Sequence, residues 1–177
     1  MFLPVFILIF LLAASGCAPG PFISSPYKAL YGTLGNNPRP GAHPGVDFGE
    51  APGAPVLAAA DGTVANVGES SVGCGNTVLI EHRDFARFTL YCHLLERAPV
   101  KVGQKVTRGE VVGRVGQTGR AATPHVHLQL CSYFCAWGNA DGNLAGTEDP
   151  LSVTIGCFDA KKVSPNDRLA LTYPVKC

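Results

Sequence analysis

His125 and His127 stand two apart in the run His125-Val126-His127-Leu128-Gln129-Leu130. In an extended strand, side chains at i and i+2 point to one face. His125, His127 and Gln129 would then share a face, with Val126, Leu128 and Leu130 turned to the core. Two imidazoles on one face suit a metal or a catalytic centre, or simply an exposed polar surface. A second pattern, His43-Pro44-Gly45-Val46-Asp47, lets a turn bring an imidazole and a carboxylate to one point. Both are proper zinc ligands, although such a spacing is common by chance. Together the two patterns make a site of two histidines, one aspartate and an open fourth position. An open position marks a catalytic zinc, whose bound water has its pKa lowered to about 7. His125, beside its ligand neighbour, and His93 at the end of 90–94 are left to move protons and hold an oxyanion. His82, within Glu81-His82-Arg83-Asp84, reads as a surface residue beside a turn.

The elements that must carry these side chains read as strands. Short β-branched runs broken by glycine cover 55–58, 62–67, 76–82, 87–91, 102–106, 110–116 and 125–130. None has a sustained 3.6-residue apolar period, which predicts an all-β domain. Residues 18–40, rich in Pro, Gly, Ser and Asn, read as a tether leading into a loop. The segment 132–177 holds Trp137, a polar Gly/Asn/Asp stretch and a strand-like Val153-Thr154-Ile155, and carries no chemistry of its own. Disulfides are expected to staple it to the core.

The ends and the charge narrow the setting. A net charge of +1 gives no field for nucleic acid or an anionic membrane. Residues 1–14 are apolar and no charged side chain precedes Lys28, which fits a secretory signal too short to span a bilayer comfortably. Ala14-Ser15-Gly16-Cys17 resembles a lipoprotein lipobox, with Ala14 where leucine is usual and no basic residue before it. That would leave 1–16 as signal peptide, lipidate Cys17 and make 17–29 a lipid-anchored tether. An ordinary cleaved signal or an uncleaved anchor are the alternatives. Setting Cys17 aside leaves Cys74, Cys92, Cys131, Cys135, Cys157 and Cys177, an even set suited to disulfides in an oxidising compartment. A hairpin turning near 83–86 would bring Cys74 and Cys92 close to cross-strand positions, so that pair is the expected bridge. A structural zinc cluster is the rival use, but no CxxC occurs.

HPGVD at 43–47, YCHL at 91–94 and HVH at 125–127, in that order, resemble the M23 (lysostaphin/LytM-type) metallopeptidases. The connecting text agrees at 55–64, 75–80, 102–113 and 116–119. The resemblance spans about 30–131 and implies two antiparallel sheets with lipoyl/biotinyl-like hairpin topology, the duplicated hybrid motif. It implies one Zn2+ held by His43, Asp47 and His127, with His125 as general base and His93 helping to stabilise the tetrahedral intermediate. Some members add a tyrosine shortly before the first ligand; here Asn36 and Asn37 occupy that stretch and Tyr31 lies further back.

The function implied is an endopeptidase cutting peptidoglycan stem-peptide cross-links through a metal-activated water. Anchor and cysteines together place it in a Gram-negative periplasm, where D-alanyl-diaminopimelate links are the substrate. Ala18 after Cys17, rather than aspartate, favours the outer membrane. The family also contains catalytically silent members that have lost zinc ligands and activate amidases as regulatory protein partners. A zinc-stabilised β domain without turnover is a third reading. The intact set of five site residues and the spare His93 and His125 favour the enzyme.

Overall fold

The computed structural model describes residues 20–30, 41–132, 135 and 144–177. The apolar leader, Cys17, the stretch holding Tyr31, Asn36 and Asn37, and Trp137 lie outside the described residues.

The described residues form ten strands, β1 (Ile23–Ser25), β2 (Val46–Gly49), β3 (Pro55–Leu57), β4 (Gly62–Gly68), β5 (Asn76–His82), β6 (Arg87–Leu94), β7 (Lys105–Val106), β8 (Val111–Arg114), β9 (His125–Cys131) and β10 (Thr147–Glu148). The seven β-branched runs give β3 to β9; β1 lies within the stretch read as a tether and pairs with β2 instead. All pair antiparallel. One eight-stranded sheet runs β1-β2-β9-β6-β5-β4-β7, with β10 added to β9, and β3 and β8 form a separate two-stranded sheet. The only described helical pieces are two 3-10 turns, Arg83–Phe85 and Pro150–Val153. The fold is therefore the all-β, two-sheet architecture expected. Val153-Thr154-Ile155 departs from expectation: Val153 ends a 3-10 turn and Thr154 makes one isolated parallel bridge to Leu171. Asp149 accepts from Leu151 N–H at 2.9 Å and caps that turn, while Pro150 at its start suits a helix N-terminus rather than a ladder.

The main core gathers Val46, Phe48, Ile80, Tyr91, Leu94, Val126, Leu128 and Leu130 with residues of β3 and β8. Leu169, Leu171 and Val175 of the C-terminal segment join it. Backbone bonds fasten the segment, from Leu57 N to Pro174 O and from Thr172 N to Ala59 O, both 2.8 Å. The expectation that disulfides staple the extension to the core is met by one of the two bridges. The Cys157–Cys177 bridge closes within the extension, and Cys131–Cys135 ties the end of β9 to the residues just after it. Buried apolar area and backbone pairing add to that hold.

The predicted hairpin is present: β5 and β6 pair from His82↔Arg87 to Asn76↔Leu94, with a register shift between Asn76 and Val78. The expected Cys74–Cys92 bridge is not formed; both are thiols, and they are hydrogen-bond partners. Cys74 lies beyond the ladder, in a turn with left-handed Gly73 and Gly75. The turn folds back so that the Cys74 carbonyl accepts His93 N–H at 2.8 Å. The two meet through that turn, not as cross-strand partners. Burial, with the Cys74 thiol next, pushes the Cys92 thiol well up.

His82 is not a surface residue. It is 2% exposed, because β5 keeps its alternation through its last residue and Gly62 leaves the imidazole room: a Cβ there would lie 3.0 Å from Nδ1. Its Nδ1–H donates to Asp61 O at 2.7 Å and its Nε2 accepts the Thr89 hydroxyl at 2.9 Å. Thr89 Oγ1 lies 3.3 Å from Tyr91 Oη, which accepts Ala59 N–H at 2.8 Å. Burial lowers the His82 pKa from 6.5, so the folded chain holds it neutral. Unfolded chain binds the proton first on acidification. The contribution to stability is thus complete above pH 6.5 and is lost as pH falls from there toward the folded value. Urea titrations at pH 7.5 and pH 5 should show wild type losing up to about 2 kcal/mol more than His82→Gln. Equal losses in the two proteins would contradict this.

Candidate metal centre

β9 carries the site. It lies between β2 and β6, so both its edges are paired: Asp47↔His127, Gly49↔His125 and Cys92↔His127 are Cα partners. Alternation holds, with Val126, Leu128 and Leu130 in the main core and His125, His127 and Gln129 on the opposite face. That face is itself covered, and every residue of β9 is buried. An exposed polar surface is excluded.

Asp47 and His127 meet as cross-strand neighbours. His43, four residues earlier, is folded back over them. Its backbone is held by Lys28 N–H to His43 O at 2.8 Å and His43 N–H to Ala29 O at 3.1 Å. Gly45 permits the close approach of this loop to β9, since a Cβ there would sit 2.3 Å from Leu128 O and 2.7 Å from His127 Cε1. A side chain at 45 would push the His127 ring out of place.

Three donor atoms converge. His43 Nε2 is 2.9 Å from His127 Nδ1 and 3.0 Å from Asp47 Oδ1, and His127 Nδ1 is 2.9 Å from Asp47 Oδ1. The His43 Nδ1–H donates to Pro26 O at 2.9 Å, with Ser25 Oγ at 3.2 Å. With the hydrogen on Nδ1, the ring turns its Nε2 lone pair toward Asp47 and His127. A lone pair, a carboxylate and a second imidazole nitrogen aimed at one point are a donor set that a cation satisfies. Zinc bonds of about 2.0 Å in a tetrahedron put ligand atoms about 3.3 Å apart, a few tenths more than these separations. The residues fit a metal ion. Burial opposes ionisation of Asp47, but hydrogen bonds and charge from His127 and His43 outweigh it and hold the carboxyl well below its usual value. Burial lowers the His127 pKa as well.

The other two histidines face the same point. His125 Nδ1–H donates to Thr123 O at 2.8 Å, and its Nε2 lies 3.6 Å from Asp47 Oδ1. His93 Nδ1–H donates to Thr118 O at 2.8 Å, and its ring centroid is 4.7 Å from that of His125. Burial, reinforced by His125 and His127, pushes the His93 pKa down to about 3.

Strict alternation would have turned His93 away. Cys92 is the partner of His127, so the next residue of a regular β6 points to the opposite face. His93 instead takes φ = 63°, a left-handed conformation that costs a non-glycine residue about 1–3 kcal/mol. That break in the strand brings its ring beside His125. The structure thus gathers all five residues expected from the sequence, His43, Asp47, His93, His125 and His127. Sequence reasoning missed the carbonyls of Pro26, Thr118 and Thr123, which aim the rings, because a backbone acceptor leaves no side-chain signature.

A two-sheet β protein with a buried His-Asp-His donor set and two further imidazoles has the features of a metal-dependent hydrolase. Residues 41–136 match peptidase family M23, and the chain belongs to that family. It is 38% identical over 107 residues to glycyl-glycine endopeptidase ALE-1 of Staphylococcus capitis, covering 58% of this chain and 29% of that protein. It is 40% identical over 92 residues to peptidoglycan DD-endopeptidase ShyA of Vibrio cholerae, covering 52% of this chain and 21% of the other. The chain thus spans under a third of these relatives. Among solved structures it resembles a variant of the catalytic domain of prophage-encoded M23 protein EnpA from Enterococcus faecalis. That match has a TM-score of 0.55 and 31% identity, and covers 72% of this chain and 87% of the other.

Proposed function

We propose that this chain is a zinc-dependent endopeptidase that hydrolyses peptide cross-links of bacterial peptidoglycan. The observation that carries the reading is the convergence of His43 Nε2, Asp47 Oδ1 and His127 Nδ1 beside two imidazoles whose Nδ1–H groups are tied back to carbonyls. His43, Asp47 and His127 would hold one zinc ion. When bound, that ion supplies a Lewis acid for the scissile carbonyl and lowers the pKa of its water to about 7.

The protein's own groups do the rest. Thr123 O fixes the His125 tautomer, leaving the Nε2 lone pair to take the proton of the attacking water and later return it to the leaving amine. His93, neutral with its proton on Nδ1, also presents Nε2. That lone pair can accept a hydrogen bond from the hydroxyl that the attacking water leaves on the tetrahedral carbon, which helps to hold the intermediate. The substrate class is supported by the relative named as a peptidoglycan DD-endopeptidase. The two disulfides suit an oxidising compartment, which supports an exported, periplasmic protein, anchored to the outer membrane through lipidated Cys17.

Purified peptidoglycan digested with the chain from residue 18 onward, and read by muropeptide separation, tests this. Cross-linked dimers should fall and monomers rise, with the bond identified by product mass. Unchanged muropeptides at full zinc occupancy would reject the enzyme and favour the amidase-activating reading.

A further inference from the structure

The loop 116–120 is locked against the turn 72–76, and one side chain joins them. Thr118 Oγ1 donates to Leu94 O at 2.7 Å and accepts Asn76 N–H at 3.0 Å. The Thr118 carbonyl accepts His93 Nδ1–H at 2.8 Å. Around this pin the backbones approach as closely as glycine allows. Gly75 has φ = 65°, and a Cβ there would lie 2.4 Å from Thr118 Oγ1. Gly119 has φ = 68°, and its Cβ would lie 2.4 Å from both Gly73 O and Gly75 N. Arg120 N–H donates to Gly73 O at 2.7 Å.

We propose that Thr118 is a positioning residue for His93: its hydroxyl fixes the place of the carbonyl that sets the His93 tautomer and ring direction. The inference rests on the endopeptidase reading for its kinetic consequence, but not for its structural one. His93 occupies a left-handed conformation that an L-residue keeps only when its surroundings demand it. Two contacts make that demand, Cys74 O on the His93 N–H and Thr118 O on the ring. The hydroxyl reaches both sides of His93, since it bonds the next residue, Leu94, and the start of β5 at Asn76. Removing it frees the carbonyl to drift and the ring to follow. The ion ligands have no contact with Thr118 among the hydrogen bonds described, so metal should be retained.

The experiment compares the zinc-loaded chain with Thr118→Val, which deletes the hydroxyl, and Thr118→Ser, which keeps it. Imidazole nitrogen chemical shifts report the His93 tautomer, and muropeptide release reports turnover. Wild type should show His93 protonated at Nδ1; the opposite tautomer would overturn the proposal without any variant. In Thr118→Val the Nδ1–H resonance should weaken or vanish, and kcat should fall about 10- to 100-fold at unchanged zinc content and similar KM. Thr118→Ser should restore both. In a His93→Ala background, Thr118→Val should cost less than about 2-fold, because the contact it serves is gone. A full loss in that background, or an unaltered His93 resonance in Thr118→Val, would overturn the assignment. If no variant cleaves peptidoglycan, wild type included, the resonances still decide the positioning role and the failure falls on the enzyme reading.

Discussion

Replacing His127 by alanine is expected to remove the metal and peptidoglycan cleavage together, with the rate falling more than about 1000-fold. His127 Nδ1 is 2.9 Å from both His43 Nε2 and Asp47 Oδ1, so its loss takes one corner from a three-cornered donor set. Two remaining ligands cannot hold the ion in the geometry needed, and the Lewis-acid contribution of several kcal/mol goes with it. The hydrogen bond from His127 that helps to keep the Asp47 carboxyl low is lost at the same time. Metal analysis of the dialysed variant beside the muropeptide digest checks this. A variant that keeps one zinc per chain, or still cleaves, would remove His127 from the ligand set. Circular dichroism guards against simple unfolding, since the imidazole is buried against Gly45.

His125→Gln separates proton transfer from metal binding. His125 Nε2 lies 3.6 Å from Asp47 Oδ1 and its ring is held by Thr123 O rather than by another ligand. The variant should therefore bind zinc as wild type does and lose about 10²- to 10⁴-fold in kcat, the usual contribution of a positioned general base. The comparison with His127→Ala is the informative part. Zinc retained with turnover lost assigns His125 to the proton, whereas zinc lost would make it a ligand. Retained turnover would hand the base role to His93, whose Nε2 also opens to the site.

Much of the site was legible in the chain because strand geometry is periodic. Two histidines at i and i+2 must share a face, and the apolar residues between them must take the core. Asp47 four residues after His43 also reads directly, since a turn containing Gly45 can fold one over the other. The all-β class followed from β-branched runs too short and too glycine-broken for helix. His82 was misread for a local reason: charged neighbours and a turn look exposed, but Asp61 and Thr89, distant in the chain, enclose it. The Cys74–Cys92 bridge was misread similarly, because a back-folded turn, and not strand register, brings the two together.

The amino-acid order by itself determined which residues could bind or transfer, the strand periodicity and the family. Tertiary structure alone decided that β9 lies between β2 and β6, which turns a polar face into a buried centre. It also decided that His93 joins that centre through a positive φ, and that three backbone carbonyls aim the imidazoles. The physical reason is common to all three. Side-chain chemistry is written residue by residue, whereas burial, backbone acceptors and a broken alternation depend on segments far apart in the chain being brought into contact.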